Sequence, residues 1–217
     1  MFRILFPLFF LLSLVGCGSS SGDVTYVAFG ASDATGIGAF PPSEGYVFEL
    51  KDIVEANCMS DLGLFNLGIP GAEISEFRSI ELPAAVSLSP DIVTIWAGGN
   101  DLVDGDSAST FETDLAAILE ELTNETSALI FIGDLPDLSL LPRFQEDPSP
   151  AVTPERIAEF NEAIERQAAE YGAMLVTLSD VALDNVLVSS DGFHPSNEGH
   201  RLIAERFAIP VASALCG

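Results

Sequence analysis

Past residue 23, short and nearly continuous apolar runs alternate with longer stretches in which apolar residues recur every three or four positions. The runs Val24–Phe29, Leu62–Leu67, Ile92–Ala97, Ala128–Gly133 and Met174–Leu178 predict strands. Most contain few polar positions, as expected of parallel strands covered on both faces. Helical spacing predicts Glu44–Asn57, Ala72–Leu88, Ser109–Asn124 and Thr153–Tyr171, with Asn197–Phe207 after the last strand. Ser109 with Glu112 reads as a capping box, and Thr153-Pro154 as an N-cap followed by a first-turn proline. Ile157, Phe160, Ile164 and Ala168 share one helical face, Glu159, Glu162 and Arg166 take the other, and Gly172 ends the helix. The βαβα alternation implies an α/β domain with one doubly wound parallel sheet. No internal repeat or second domain is visible.

Residues 135–152 break the rhythm. Pro136, Pro142, Pro148 and Pro150 stand among Leu135, Leu138, Leu140, Leu141 and Phe144. A long proline-rich connection within a compact domain is either a packed surface excursion or a functional segment, here a wall of the substrate cleft.

Ligands of an open parallel sheet bind at the carboxyl ends of its strands. The first predicted strand runs into Gly30-Ala31-Ser32-Asp33, the second into Gly68, and the third into Gly98-Gly99-Asn100-Asp101. A terminal loop brings Asp191-Gly192-Phe193-His194-Pro195. A serine hydroxyl is a poor nucleophile until an imidazole takes its proton, and the imidazole needs a carboxylate on its other nitrogen. Ser32, His194 and Asp191 supply those types. The N–H groups of Ser32 and Gly68 and the Asn100 amide would meet the oxyanion of a tetrahedral intermediate. Asp33 and Asp101 read as helix caps or backbone acceptors beside the site. His200 shares a helical face with Ile203 and Phe207 and reads as structural. Asp104-Gly105-Asp106 lacks the continuation of a calcium loop, and no cysteine–histidine cluster suggests zinc, so neither metal nor cofactor is expected.

In this order, Ser32, Gly68, Asn100 and His194, with Asp191 in a D-x-x-H motif, resemble the four blocks of the SGNH or GDSL hydrolases. The resemblance spans residues 29 to 195, nearly all of the chain beyond its leader. It implies a flavodoxin-like three-layer αβα sandwich with five parallel strands, a Ser-His-Asp triad, and hydrolysis of acyl esters or thioesters. Lipid, thioester and acetylated carbohydrate substrates all stay open. The first block departs from the pattern: it reads Gly-Ala-Ser-Asp, without the acid before serine. A G-x-S-x-G nucleophile elbow is absent. A non-catalytic envelope lipoprotein that binds polysaccharide or lipid in the same cleft is the rival, disfavoured because every catalytic part is retained. A flavin-binding domain would need a phosphate-cradling loop, and Gly30–Ala34 is too poor in glycine and hydroxyls for one.

The leader changes where this chemistry would act. Arg3 precedes an apolar run from Ile4 to Val15, interrupted only by Pro7 and Ser13, too short to span a bilayer comfortably. It ends in Leu14-Val15-Gly16-Cys17, which resembles a bacterial lipobox and implies a signal peptide over 1–16, lipidation of Cys17 and a tether over 17–22 before the domain at 23–217. A plain secretory signal is the alternative. The expected location is the bacterial envelope, with the outer membrane favoured because Gly18 is not the aspartate of the usual retention signal. Lipidation would leave Cys58 and Cys216 as an even pair in an oxidising compartment, either bridged or as two buried thiols. With 33 acidic against 8 basic residues and a net charge of -25, the chain would repel nucleic acid, so the expected partners are an ester substrate and a membrane. Oligomeric state is not readable.

Overall fold

The computed structural model describes residues 24–217, so the signal peptide, Cys17 and the tether to residue 22 lie outside the described residues. Five strands, β1 (Val24–Gly30), β2 (Leu62–Asn66), β3 (Ile92–Trp96), β4 (Leu129–Gly133) and β5 (Met174–Val176), form one parallel sheet in the order β2-β1-β3-β4-β5. The expected α/β sandwich is therefore present. The chain reverses direction across the sheet between β1 and β3, the position at which doubly wound sheets open a crevice.

Alternation along β1 shows how the sheet divides two cores. Tyr26 and Ala28 face α1 (Tyr46–Cys58) and the last helix, while Val27 and Phe29 face the helices on the opposite side. The second helix, α2, consists of Ile74–Glu76, a π-helical turn Phe77–Glu81, and Leu82–Leu88. After it come α3 (Gly99–Asp104), α4 (Ala108–Glu125), α5 (Pro142–Glu146), α6 (Pro154–Tyr171) and α7 (Asn197–Cys216). The α6 face expected from spacing is buried at Ile157, Phe160, Ile164 and Ala168, with Thr153 as N-cap and Gly172 in the left-handed region at φ 69°.

Four local expectations are corrected. The N-cap of α4 is Ser107, whose hydroxyl accepts the Thr110 N–H, because Glu112 is drawn instead to Arg166 and Gln167 on α6. The short helices α3 and α5 had no periodic signal long enough to read. Strand β5 stops at Val176 because the buried Asp134 carboxylate takes the N–H groups of Leu178 and Ser179. Helix α7 continues past Pro210 to Cys216, beyond Phe207. Val211 keeps that last stretch packed in the core, and Cys216 is disulfide-bonded to Cys58 at the end of α1. That bridge closes 158 residues of chain and restricts the unfolded state by about 5 kcal/mol in the loop-entropy account. No helix among the described residues is long and apolar enough to cross a membrane.

Candidate active site

Strand β1 delivers Ser32 two residues beyond its end, in a tight turn that folds back on itself. The Ser32 carbonyl accepts the Thr35 hydroxyl at 2.8 Å and the Ile37 N–H at 3.0 Å, so the backbone around the serine is held from its own loop. The side chain is buried, and its Oγ lies 2.9 Å from His194 Nε2. Gly38 lets the two loops meet: a Cβ there would come within 2.1 Å of the Pro195 carbonyl and 2.9 Å of the His194 Cβ.

His194 Nδ1 lies 2.6 Å from Asp191 Oδ2, so one imidazole joins the hydroxyl to the carboxylate. Asp191 is fixed through its other oxygen. Oδ1 accepts the N–H groups of Phe193 and His194 at 2.8 and 2.9 Å, and the Ser189 hydroxyl at 2.8 Å. Burial works against its charge, but these donors and the imidazole outweigh burial and hold the carboxyl well below the usual carboxylate range. Phe193 packs edge-on against the His194 ring at 5.0 Å, and the Arg143 guanidinium lies 5.1 Å from the centre of the Phe193 ring. His200 is buried and neutral: Nδ1 accepts the Tyr46 N–H, Nε2 donates to the Ile37 carbonyl, and burial lowers its proton affinity. Both nitrogens are occupied by backbone, so it ties the Ser32 loop to α1 and α7.

The three groups expected to meet an oxyanion differ in their hydrogen bonding. Asn100 stands at the start of α3, where Nδ2 donates to the Ala72 carbonyl at 2.8 Å and keeps a second proton. The Ser32 N–H has no acceptor among the described residues. The Gly68 N–H, however, donates to Asn66 Oδ1 at 3.1 Å, and an added Cβ at Gly68 would lie 2.8 Å from the Ala34 Cβ. Gly68 is therefore a packing glycine behind the Ser32 loop. Three residues on, Gly71 has φ +82°, no atom within 4 Å of an added Cβ, and no acceptor for its N–H among the described residues. It precedes Ala72, the residue Asn100 holds. The Pro70-Gly71 turn was the available signal, but strand-end proximity pointed to Gly68.

The neighbouring acids take separate roles. Asp101 is buried and accepts the Ile74 N–H at 3.0 Å, so Asn100 and Asp101 together clamp residues 72–74, and burial pushes the Asp101 carboxyl up to about 6. Asp33 caps no helix, and its carboxyl takes its own backbone N–H. Burial pushes it up to about 6, against the pull of His194. No group of three or more His, Cys, Asp or Glu placed to hold a metal occurs among the described residues.

Beside Asn100 and Phe193 opens a pocket of about 90 Å³ whose walls are mostly apolar and include Leu135, Leu138, Leu141 and Leu187. In the proline-rich segment, Leu135, Leu138 and Leu141 are buried in the core, as the packed reading expects, and they also line this pocket.

Residues 28–202 match the GDSL-like lipase/acylhydrolase family, a span that contains every residue of this site. A curated relative, a putative endoglucanase X from Acetivibrio thermocellus, is 28% identical over 139 residues, or 59% of this chain, and the chain spans only 54% of that relative's length. Among solved structures, TesA superposes with a TM-score of 0.73 at 24% identity, covering 88% of this chain and 99% of its own. A family 3 carbohydrate esterase from Clostridium thermocellum superposes with a TM-score of 0.71 at 21% identity, covering 90% of this chain and 100% of its own. These likenesses carry the fold, whereas the family match covers most of the chain itself. The chain belongs to the GDSL-like lipase/acylhydrolase family.

Proposed function

We propose that the protein hydrolyses acyl esters through a Ser32-His194-Asp191 triad. Ser32 Oγ attacks the acyl carbonyl while His194 Nε2 takes its proton. His194 then returns that proton to the leaving alcohol, and water releases the acid from the acyl-serine by the same route. The observation that carries this reading is the imidazole placed within hydrogen-bond reach of the Ser32 hydroxyl and the Asp191 carboxylate together. The oxyanion is assigned to the Ser32 N–H, the Gly71 N–H and Asn100 Nδ2, with Gly71 replacing Gly68 because the Gly68 N–H already has an acceptor. Asn100→Ala is expected to lose roughly 10²–10³ in kcat with KM little changed, since the amide meets charge mainly in the transition state. Steady-state kinetics with kcat unchanged would reduce Asn100 to a clamp on Ala72.

The pocket favours an acyl group longer than acetyl, because apolar walls stabilise each added methylene by about 0.8 kcal/mol while the cavity has room. Its volume suits a chain of a few carbons. Against p-nitrophenyl esters of graded length, kcat/KM is expected to rise beyond acetyl and then fall once the pocket is full. The carbohydrate esterase among the structural neighbours supports a second reading, a carbohydrate acetylesterase. A maximum at acetyl, with inhibition by acetylated xylan, would select that reading and end the first.

The site would act at the cell envelope, tethered through Cys17, on the support of Leu14-Val15-Gly16-Cys17. Two or more acyl chains hold a protein stably where one does not. Labelled palmitate is expected to enter wild type and not Cys17→Ser, and a soluble, unlabelled wild type would leave residues 1–16 as a plain secretory signal.

A further inference from the structure

Two buried side-chain polar atoms lack a hydrogen-bond partner among the described residues, Glu81 Oε1 and Tyr46 Oη. Both lie beside Gly30, the last residue of β1 and two residues before the nucleophile. Glu81 Oε2 accepts the Gly30 N–H at 3.1 Å, and Tyr46 Oη lies 3.5 Å from where a Gly30 Cβ would stand. Glu81 is only 1% exposed, an unusual place for a carboxyl with no cation beside it.

The local fold explains how it gets there. A π-helical turn carries an extra residue, and such turns cluster at functional positions. In α2 it brings Phe77, Glu81 and Leu82 inward together, while Arg78 points out to Asp114. The Glu81 carboxyl then enters where β1 and β2 part. Their ladder ends at Ala28 and Asn66, beyond which Gly30 gives its carbonyl to the Ile69 N–H and its own N–H to Glu81. One carboxyl thereby supports the entrance to the Ser32 turn at Gly30, whose carbonyl in turn holds Ile69 in the loop that leads to Gly71.

We propose that Glu81 is a positioning residue for the nucleophile, effective only while its carboxyl is uncharged. This rests on Ser32 being the nucleophile. The charged and titratable groups around it offer no compensation for a negative charge. Glu76 on α2 is another acid, Asp114 on α4 is already paired with Arg78, Tyr46 from α1 is a phenol, and β1 contributes only the Gly30 N–H. Burial, with Glu76 adding to it and the Gly30 N–H opposing, pushes the carboxyl up to about 8. Below that value the acid is neutral and stays in place. Above it, an uncompensated charge at a dry position favours conformations that hydrate Glu81 and release Gly30.

The test follows kcat and the rate of fluorophosphonate labelling from pH 6 to 10 for wild type, Glu81→Gln and Glu81→Leu, each as the full chain. Wild type should fall about tenfold per unit above about pH 8, the slope of a single deprotonation. Glu81→Gln keeps a carbonyl acceptor for the Gly30 N–H but cannot ionise, so its alkaline fall should vanish. Glu81→Leu has no acceptor, so its kcat should lie at least tenfold below that of Glu81→Gln at pH 7, with KM little changed. A wild-type profile flat to pH 10, or the same alkaline fall in Glu81→Gln, would overturn the proposal. Should Glu81→Leu not fold, the Glu81→Gln profile decides alone. Labelling that persists in Ser32→Ala, run alongside, would instead show that the nucleophile assignment had failed.

Discussion

Ser32→Ala is expected to abolish ester hydrolysis, with kcat falling by a factor on the order of 10⁶ if the triad acts as a unit. The magnitude follows from the geometry around His194. Its Nε2 is bonded to the Ser32 hydroxyl and its Nδ1 to Asp191, so the base is already directed at this one oxygen. Without that oxygen there is nothing to acylate, and only the oxyanion donors and substrate binding remain to act on water. The fold should be untouched, since the Ser32 carbonyl keeps its bonds to Thr35 and Ile37 through the backbone. A fluorophosphonate probe should label wild type and not the variant, while thermal unfolding of the two should coincide. Labelling of Ser32→Ala at the wild-type rate would place the nucleophile elsewhere.

Asp191→Asn is expected to cost about 10⁴ in kcat, the scale on which a triad histidine held in the wrong tautomer fails. Here the tautomer is unusually constrained. Oδ1 of Asp191 receives two backbone N–H groups and the Ser189 hydroxyl, so an asparagine must place its carbonyl oxygen there. Its NH₂ then faces His194 Nδ1, which must accept, and the ring proton moves to Nε2, where it points at Ser32. A base that already carries its proton on that side cannot take the serine's. Asp191→Ala frees the ring from that constraint, and its kcat should exceed that of the asparagine variant if the tautomer is the cause. Equal losses in both would attribute the effect to the missing charge alone. Since the Asp191 carboxyl lies well below the ordinary range, it stays ionised as pH falls toward 4, and an acid-side loss of activity above that pH has another origin.

The other members of the site differ in how far local sequence could reveal them. The N-cap and stop of α6 were readable at Thr153 and Gly172, because a cap is made by residues three or four apart. At α4 the same rule chose Ser109 with Glu112, and it failed because Glu112 found Arg166, a partner 54 positions away. His200 could be set aside from its helical face alone, whereas its two backbone partners are distant in sequence, Ile37 in the loop after β1 and Tyr46 at the start of α1. Gly68 and Gly71 show the limit most clearly. Both are glycines after an apolar strand, and only the Asn66 side chain, which takes the Gly68 N–H, separates the packing glycine from the one with a free donor.

By itself the sequence determined the five apolar strands, the doubly wound class, and the serine, asparagine, aspartate and histidine at strand ends and the terminal loop. Apolar runs and helical spacing are local consequences of burial on two faces or on one, so they survive without knowledge of any partner. Only the tertiary structure decided which donors remain open to an oxyanion, that Asn100 and Asp101 clamp residues 72–74, and that Glu81 lies buried against Gly30. The last two depend on hydrogen bonds spanning tens of residues, and the first turns on the short Gly68-to-Asn66 bond, whose acceptor is itself held by the distant Ala34 carbonyl. Which of the competing donors and acceptors pair is settled when the strands and helices pack, by distances that no local pattern encodes.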